Sequence, residues 1–353
     1  MNVKIVGTGS HVPNNDIVNE GFLENTFYDV DGVAIANENS EIIAKFQSIT
    51  GIEQRKYTSP AQNSSDLATE AAKKAIADAG IDPETLDYII LAQNVGDITD
   101  QSNQADALPS VASRVKAKLG IKNPKCVAYD LIFGCPGWVE GMIQAQAFIK
   151  AGMAQRCLVI GSETLSRVTD PHDRDSMIYA DGSGATIVEK SDSSGGILSH
   201  ASCTYTADGE VGFIFMGPTN DKESTDPTKY IKMQGRKVYE FALTHVPMAM
   251  KECLDKANIP IEELKKIFIH QANLKMDEAI IKRFYRHYKT TAPEGILPMN
   301  IQTFGNSSVA TVPTLFDLVR KQKFDGHQVE EGDVILFASV GAGMNINAIT
   351  YRV

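Results

Sequence analysis

Cysteine is scarce: five of 353 residues, and Cys126, Cys135, Cys157, Cys203 and Cys253 are odd in number, scattered and free of any C-x-x-C pair. That spacing excludes a disulfide framework and a zinc site, and a reducing cytoplasm fits it best. The histidines lack a recurring ligand spacing, so no metal is expected. No Lys/Arg block is dense enough to track a phosphate backbone, which excludes nucleic acid as a partner. The sum of 34 basic and 44 acidic residues, a net charge of −10, speaks for solubility and names no substrate. The longest apolar stretch, at 334–344, is short and glycine-broken, so no membrane association is expected. The first nine residues read as a strand (Val3, Ile5, Val6) and a glycine turn, without the apolar run of a signal peptide.

What is present is ordinary globular material, 43% hydrophobic and 22% charged. The length suggests about two structural units. Ser64-Ser65-Asp66 caps an alanine-rich helix over 67–79 that stops at Gly80, and Tyr88-Ile89-Ile90-Leu91 reads as a buried strand. A helix over 109–119, a strand at 126–130, a helix over 137–151 and a strand at 157–160 continue the rhythm, which argues for an α/β protein with covered sheets. The Ser/Gly-rich stretch 191–196 marks a seam, giving units 1–190 and 191–353, and 218–229 reads as a surface loop.

The chain also repeats itself. Residues 79–93 and 257–271 share Ala, Ile, Glu, Leu, Ile and Gln in step, each copy reading as a helix end, a turn and a buried strand. Phe133-Gly134-Cys135 recurs as Phe304-Gly305-Asn306 at nearly the same offset. A duplicated fold would place Cys135 and Asn306 on matching strand-to-helix turns and His270 at a strand end, outside the carboxyl ends of the strands where open α/β sheets build their sites.

Cys135 stands between Gly134 and Pro136-Gly137, a corner with little crowding that faces the positive end of the next helix, which favours the thiolate. A buried small hydrophobe is the bland alternative. His270 follows the apolar run Ile267-Phe268-Ile269 and is either aimed into a cleft or a core histidine; Asn306 reads equally as a turn or cap residue.

Together the motifs carry a resemblance: Gly7-Thr8-Gly9-Ser10, Thr50-Gly51-Ile52, Cys135-Pro136-Gly137, Gly161-Ser162-Glu163-Thr164-Leu165-Ser166-Arg167, Asp181-Gly182-Ser183-Gly184-Ala185, His270-Gln271-Ala272-Asn273-Leu274, Gly305-Asn306-Ser307-Ser308 and the final Gly-Ala-Gly. Over almost its whole length the chain resembles the β-ketoacyl-[acyl carrier protein] synthase III family of thiolase-like condensing enzymes. The resemblance implies a duplicated α/β fold in an αβαβα layering and a Cys135–His270–Asn306 site. It implies an acyl-enzyme on Cys135, decarboxylation of malonyl-acyl carrier protein beside His270 and Asn306, and an oxyanion held by the N–H groups of Cys135 and Ala342. Thr50, Arg174, Asn273 and Lys275 would meet substrate or carrier. Leu108 would line an acyl pocket, that of the neighbour in a homodimer. No cofactor is implied beyond the substrates, an acyl-coenzyme A or acyl carrier protein.

The departures are local. Ile49 stands where the family has an arginine, Pro136-Gly137-Trp138 replaces Ala-Gly-Phe, residues 94–107 form a longer insert, and Lys275 replaces an arginine. They direct attention away from acetyl-coenzyme A and leave two alternatives: a condensing enzyme or acyltransferase of secondary metabolism fed by longer or carrier-bound acyl groups, and a non-catalytic acyl-binding subunit.

Overall fold

The computed structural model describes residues 2–100, 102 and 104–353. In chain order the strands are β1 (Asn2–His11), β2 (Asn15–Val18), β3 (Gln54–Tyr57), β4 (Tyr88–Ala92), β5 (Asp97–Ile98), β6 (Ala105–Asp106), β7 (Val127–Leu131), β8 (Arg156–Thr164), β9 (Asp181–Ser191), β10 (Gly196–Thr204), β11 (Ile214–Gly217), β12 (Tyr230–Met233), β13 (Leu264–Ile269), β14 (Val334–Gly341) and β15 (Asn345–Arg352). The helices are α1 (Asn39–Thr50), α2 (Ser64–Ala79), α3 (Val111–Lys118), α4 (Gly137–Lys150), α5 (Gly235–Lys256), α6 (Leu274–His287), α7 (Ile301–Phe304) and α8 (Thr311–Arg320). None of these helices is long and apolar enough to cross a membrane.

Two sheets organise the chain, β1-β9-β8-β4-β7 and β10-β15-β14-β13. In the first, β4 runs parallel to β7 and β8 while β9 is antiparallel to β8 and β1. The second repeats that pattern in four strands: β13 parallel to β14, then β15 antiparallel to β14 and β10. Helices α2 and α3 cover the outer face of the first sheet, α5 and α6 that of the second, and α4 and α8 lie between the two. Five layers, αβαβα, result. The middle layer has an apolar centre: Trp138, Met142, Phe316 and Leu315 from the helices meet Val159, Phe268, Phe337 and Tyr351 from both sheets.

The sequence repeat is visible as structure. The end of α2, a single 3₁₀ turn at Pro83–Thr85 and β4 correspond to the end of α5, a turn at Ile261–Glu263 and β13. The correspondence lapses before Asn306. The expected fifth strand of the second sheet is reduced to one bond, from the Ile267 N–H to the Ile296 carbonyl at 2.9 Å. Asn306 therefore follows the one-turn helix α7 and not a strand. Three further expectations shift. Helix α2 is capped by Asn63, whose partner in a capping box is Asp66. The 218–229 loop is anchored inside, with the Thr219 hydroxyl and the Asn220 N–H donating to the buried Asp170 carboxylate. The 94–107 insert carries the β5–β6 hairpin; Gln101 and Asn103 within it, like Met1, lie outside the described residues.

What joins the halves is a backbone approach. Residues after Asn306 lie across β8 and β9 so closely that a Cβ on Gly161 would sit 2.3 Å from the Val309 carbonyl oxygen, and one on Gly184 2.8 Å from the Thr314 nitrogen. Only glycine leaves that room. Gly161→Ala is expected to lower stability by about 1–3 kcal/mol, the usual cost of overpacking a close-packed core. Gly212→Ala, where an added Cβ meets nothing, should stay within about 0.5 kcal/mol. Thermal denaturation of the two variants makes the comparison.

Candidate active site

Cys135 sits on the elbow between β7 and α4. Gly134 has φ +67° and its missing Cβ would fall 2.6 Å from the Ala342 nitrogen; a Cβ on Gly341 would fall 2.4 Å from the Cys135 nitrogen. The two glycine turns thus touch backbone to backbone, which brings the Cys135 and Ala342 N–H groups to one place. Asn345 stitches the contact, its Nδ2 donating to the carbonyls of Phe133 at 3.2 Å and Ala342 at 2.8 Å.

His270 directly follows β13, its N–H bonded to the Ala338 carbonyl on β14 at 2.9 Å. Its Nδ1 meets the Thr311 hydroxyl at 2.8 Å, and that hydroxyl donates to the Ser308 carbonyl at 3.0 Å. A hydroxyl has one proton, so Thr311 accepts from His270, Nδ1 carries the ring proton and Nε2 keeps its lone pair. Burial lowers the imidazole to about 4, so His270 is neutral at physiological pH.

Asn306 belongs to the second half of the chain but is fastened to the first. Its N–H donates to the Ile178 carbonyl and its own carbonyl accepts from Ala180, both at 2.9 Å. The side-chain Oδ1 accepts from the Ser308 N–H at 2.8 Å, which leaves both Nδ2 hydrogens for a ligand.

All three side chains line one cavity of about 940 Å³, together with Ala342. Of the other residues singled out in the sequence, Thr50, Arg174 and Asn273 line the same cavity. The Thr50 hydroxyl is occupied within its own helix, on the Phe46 carbonyl, and Asn273 caps α6 through the Met276 N–H. Lys275 lies on the exposed face of α6 and is not part of the wall, and Leu108, 87% exposed, turns away from this chain's own cavity. The mouth is polar, with Glu41, Lys45, Arg174 and Arg236, and Ile49 stands among them. Much of the remaining lining is apolar, including Leu165, Ile178, Ile214, Met216, Met233 and Met276.

The electrostatics differ from the expectation for a cysteine at a helix N-terminus. Burial pushes the Cys135 thiol up to about 11, opposed by a hydrogen bond from the Ser308 hydroxyl and reinforced by the nearby Glu163 charge. Desolvation outweighs the helix because α4 starts only at Gly137, with Pro136 in the cap position. The sequence motifs contain Glu163 and Ser308 without giving either a role, and Asn94 and Thr311 lie outside them. One signal was available for Glu163, a charged residue that follows the apolar run 157–160 with only Gly161 and Ser162 between, on a strand buried to its end.

The repeated halves, the αβαβα layers and a cavity at the carboxyl ends of the parallel strands define a thiolase-like condensing enzyme. Comparison with known proteins narrows that class. The model of the 3-oxoacyl-[acyl-carrier-protein] synthase III family matches residues 129–206, and that of its C-terminal part residues 254–353. A beta-ketoacyl-[acyl-carrier-protein] synthase III of Porphyra purpurea is 32% identical across all of this chain and 99% of its own length. One from Caldanaerobacter subterraneus subsp. tengcongensis is 33% identical, covering 96% and 94%. The crystal structure of the Aquifex aeolicus 3-oxoacyl-[acyl-carrier-protein] synthase III superimposes with a TM-score of 0.81 at 29% identity, covering 99% of this chain and 100% of that one. The chain belongs to the 3-oxoacyl-[acyl-carrier-protein] synthase III family.

Iodoacetamide should modify Cys135 ahead of the buried Cys126, Cys157 and Cys253, because only a reachable sulfur reacts. With the thiol held near 11, the rate should keep climbing beyond about pH 9 and not level off near the ordinary thiol value. Peptide mass spectrometry across a pH series reads both.

Proposed function

We propose that this chain joins an acyl thioester to malonyl-acyl carrier protein with loss of CO₂, giving a 3-oxoacyl-acyl carrier protein and so starting a fatty acid chain. The observation that carries the reading is the convergence of Cys135, His270 and Asn306 on one cavity, with Asn306 Nδ2 and His270 Nε2 both left free by their own partners. The relatives named above are condensing enzymes of this description. An acyl-binding subunit without activity would have no need of this arrangement.

In the first half-reaction Cys135 gives its proton to the Nε2 lone pair of His270, and the thiolate attacks the thioester carbonyl. The oxyanion lies between the N–H groups of Cys135 and Ala342. Collapse transfers the acyl group to sulfur, and the departing thiolate takes the proton back from His270. In the second half-reaction the malonyl group loses CO₂, and the enolate oxygen accepts hydrogen bonds from Asn306 Nδ2 and His270 Nε2. Donation by His270 needs its proton on Nε2: Nε2 takes a proton from water as Nδ1 releases its own to water, and the Thr311 hydroxyl turns from the Ser308 carbonyl to donate to the Nδ1 lone pair so exposed. The carbanion attacks the acyl-cysteine, and the freed thiolate regains a proton from water. Asparagine suits the enolate as a fixed donor that neither gains nor loses a proton.

The carrier protein is read to dock at α6, which starts at the cavity with Asn273 and Met276 and whose exposed Lys275, Lys282, Arg283 and Arg286 outnumber the exposed Glu278 on an otherwise acidic protein. Arg174, Thr50 and Asn273 are taken to position the phosphopantetheine arm at the entrance. A homodimer is favoured by β7, the edge of the five-stranded sheet, whose outer side is left open. Leu108 and Ile132 beside it are 87% and 70% exposed, and in such a dimer Leu108 reaches the partner's cavity. The two units 1–190 and 191–353 then each contribute one half of every site, working free in the reducing cytoplasm.

The apolar lining of the cavity and Ile49 on its wall favour acyl groups longer than acetyl, or carried on protein. An isoleucine forfeits the charge-assisted bond that an arginine makes with a phosphate, about 1.5–3 kcal/mol, or roughly ten- to a hundred-fold in affinity. Acylation of Cys135 by octanoyl-carrier protein should outpace that by acetyl-coenzyme A, and Ile49→Arg should narrow the gap. If acetyl-coenzyme A is the best donor and the arginine adds nothing, the chain is an acetyl-using initiator.

His270→Ala and Asn306→Ala should slow malonyl-carrier protein decarboxylation about a hundred- to a thousand-fold, as loss of one oxyanion donor does. Acylation of Cys135 should persist in Asn306→Ala. A normal decarboxylation rate in either variant removes that residue from the enolate step.

A further inference from the structure

Among the described residues the sulfur of Cys135 receives one side-chain hydrogen bond, from the Ser308 hydroxyl at 3.2 Å. Ser308 is held at φ +51°, a left-handed value that costs an L side chain energy and persists only where its surroundings impose it. Its N–H is taken by Asn306 Oδ1 and its carbonyl by Thr311. Its hydroxyl oxygen accepts from Asn94 Nδ2 at 3.2 Å, and the same Nδ2 donates to Glu163 Oε1 at 2.5 Å. Both amide hydrogens of Asn94 are thereby used, so the Ser308 proton has the sulfur as its remaining target. Glu163 is wholly buried and its second oxygen has no partner among the described residues. A continuous path runs from a buried carboxyl to the nucleophile, and the acyl-transfer steps above use no part of it beyond the sulfur.

We propose that Ser308 is a further catalytic residue, donating to the Cys135 sulfur, and that Asn94 and Glu163 are positioning residues that aim it and make thiolate formation depend on whether Glu163 carries its proton. This rests on Cys135 being the nucleophile. No proton travels along the path; the hydroxyl hydrogen stays on Ser308 and the effect is one of charge and orientation. Two negative charges in one water-poor site oppose each other, so a neutral Glu163 lets the sulfur ionise and an ionised one resists it. Burial holds the Glu163 carboxyl up at about 8, against the Asn94 bonds, with the Asp181 charge adding to the rise. The other titratable groups facing the sulfur are His270, neutral, and the buried Tyr179 phenol, also neutral. Asp181 is in turn bonded by Ser166 and the Thr58 N–H, with Arg167 nearby.

The test is the pH dependence of Cys135 alkylation by iodoacetamide in the full chain, read by peptide mass spectrometry. Glu163→Gln keeps an oxygen acceptor for Asn94 and has no charge to lose. It should shift the alkylation midpoint down by about one pH unit or more, the size expected for removing a neighbouring like charge. Ser308→Ala and Asn94→Ala, which remove or release the donor, should shift it up. Should Glu163→Gln fail to fold, the Asn94→Ala shift decides. Profiles of Glu163→Gln and Asn94→Ala that superimpose on that of the unaltered chain, while Cys135 is still modified ahead of the buried Cys126, Cys157 and Cys253, overturn the proposal. If Cys135 is not modified ahead of the buried Cys126, Cys157 and Cys253, or its modification leaves acyl transfer intact, the nucleophile reading itself fails.

Discussion

The close seating of residues 305–313 on the strands of the other half is the constraint on which the rest depends. Asn306 is fixed by two backbone bonds to Ile178 and Ala180, and Val309 rests on Gly161 without a side chain between them. Ser308 and Thr311, in the same few residues, then reach Cys135 and His270. A side chain on β8 or β9 at this contact would push the whole segment outward, and three functional groups from three parts of the chain would separate together. Such interiors are close-packed and transmit small displacements rather than absorb them.

A second consequence is the electrical state of the site. Cys135, His270 and Glu163 are all buried deeply enough that each prefers to be neutral, with values near 11, 4 and 8. The resting site is therefore a neutral hydrogen-bonded network, not an ion pair. In the proposed reaction charge appears only as the chemistry creates it, beside the Cys135 and Ala342 N–H groups. The Glu163 carboxyl is the one group of the three whose charge changes close to physiological pH, which is why its connection to the sulfur matters.

The hairpin β11–β12 shows how packing elsewhere shapes the cavity. Lys232 on β12 pairs with the buried Asp170 and with Asp173, and Asp170 also holds Thr219 and Asn220 of the loop. This network clamps the hairpin so that Ile214, Met216 and Met233 become the apolar wall. In the linear sequence the loop is simply polar. Its role arises from Asp170, nearly fifty residues away.

The sequence by itself determined the architecture and singled out three residues that the fold brings to one cavity. Periodicity and turn residues place β4, β8, α2 and α4 because each records a local preference, and the repeat between 79–93 and 257–271 records the duplication. Cys135, His270 and Asn306 stood out because glycine turns and strand ends are written in neighbouring residues. Tertiary structure alone decided that Asn306 follows a one-turn helix, since the missing fifth strand is a matter of pairing across the sheet. It alone turned Leu108 away from this chain's cavity, raised the Cys135 thiol against its helix, and linked Asn94, Glu163 and Ser308. Those outcomes depend on burial and on contacts between residues up to about two hundred positions apart, and neither leaves a mark in local sequence.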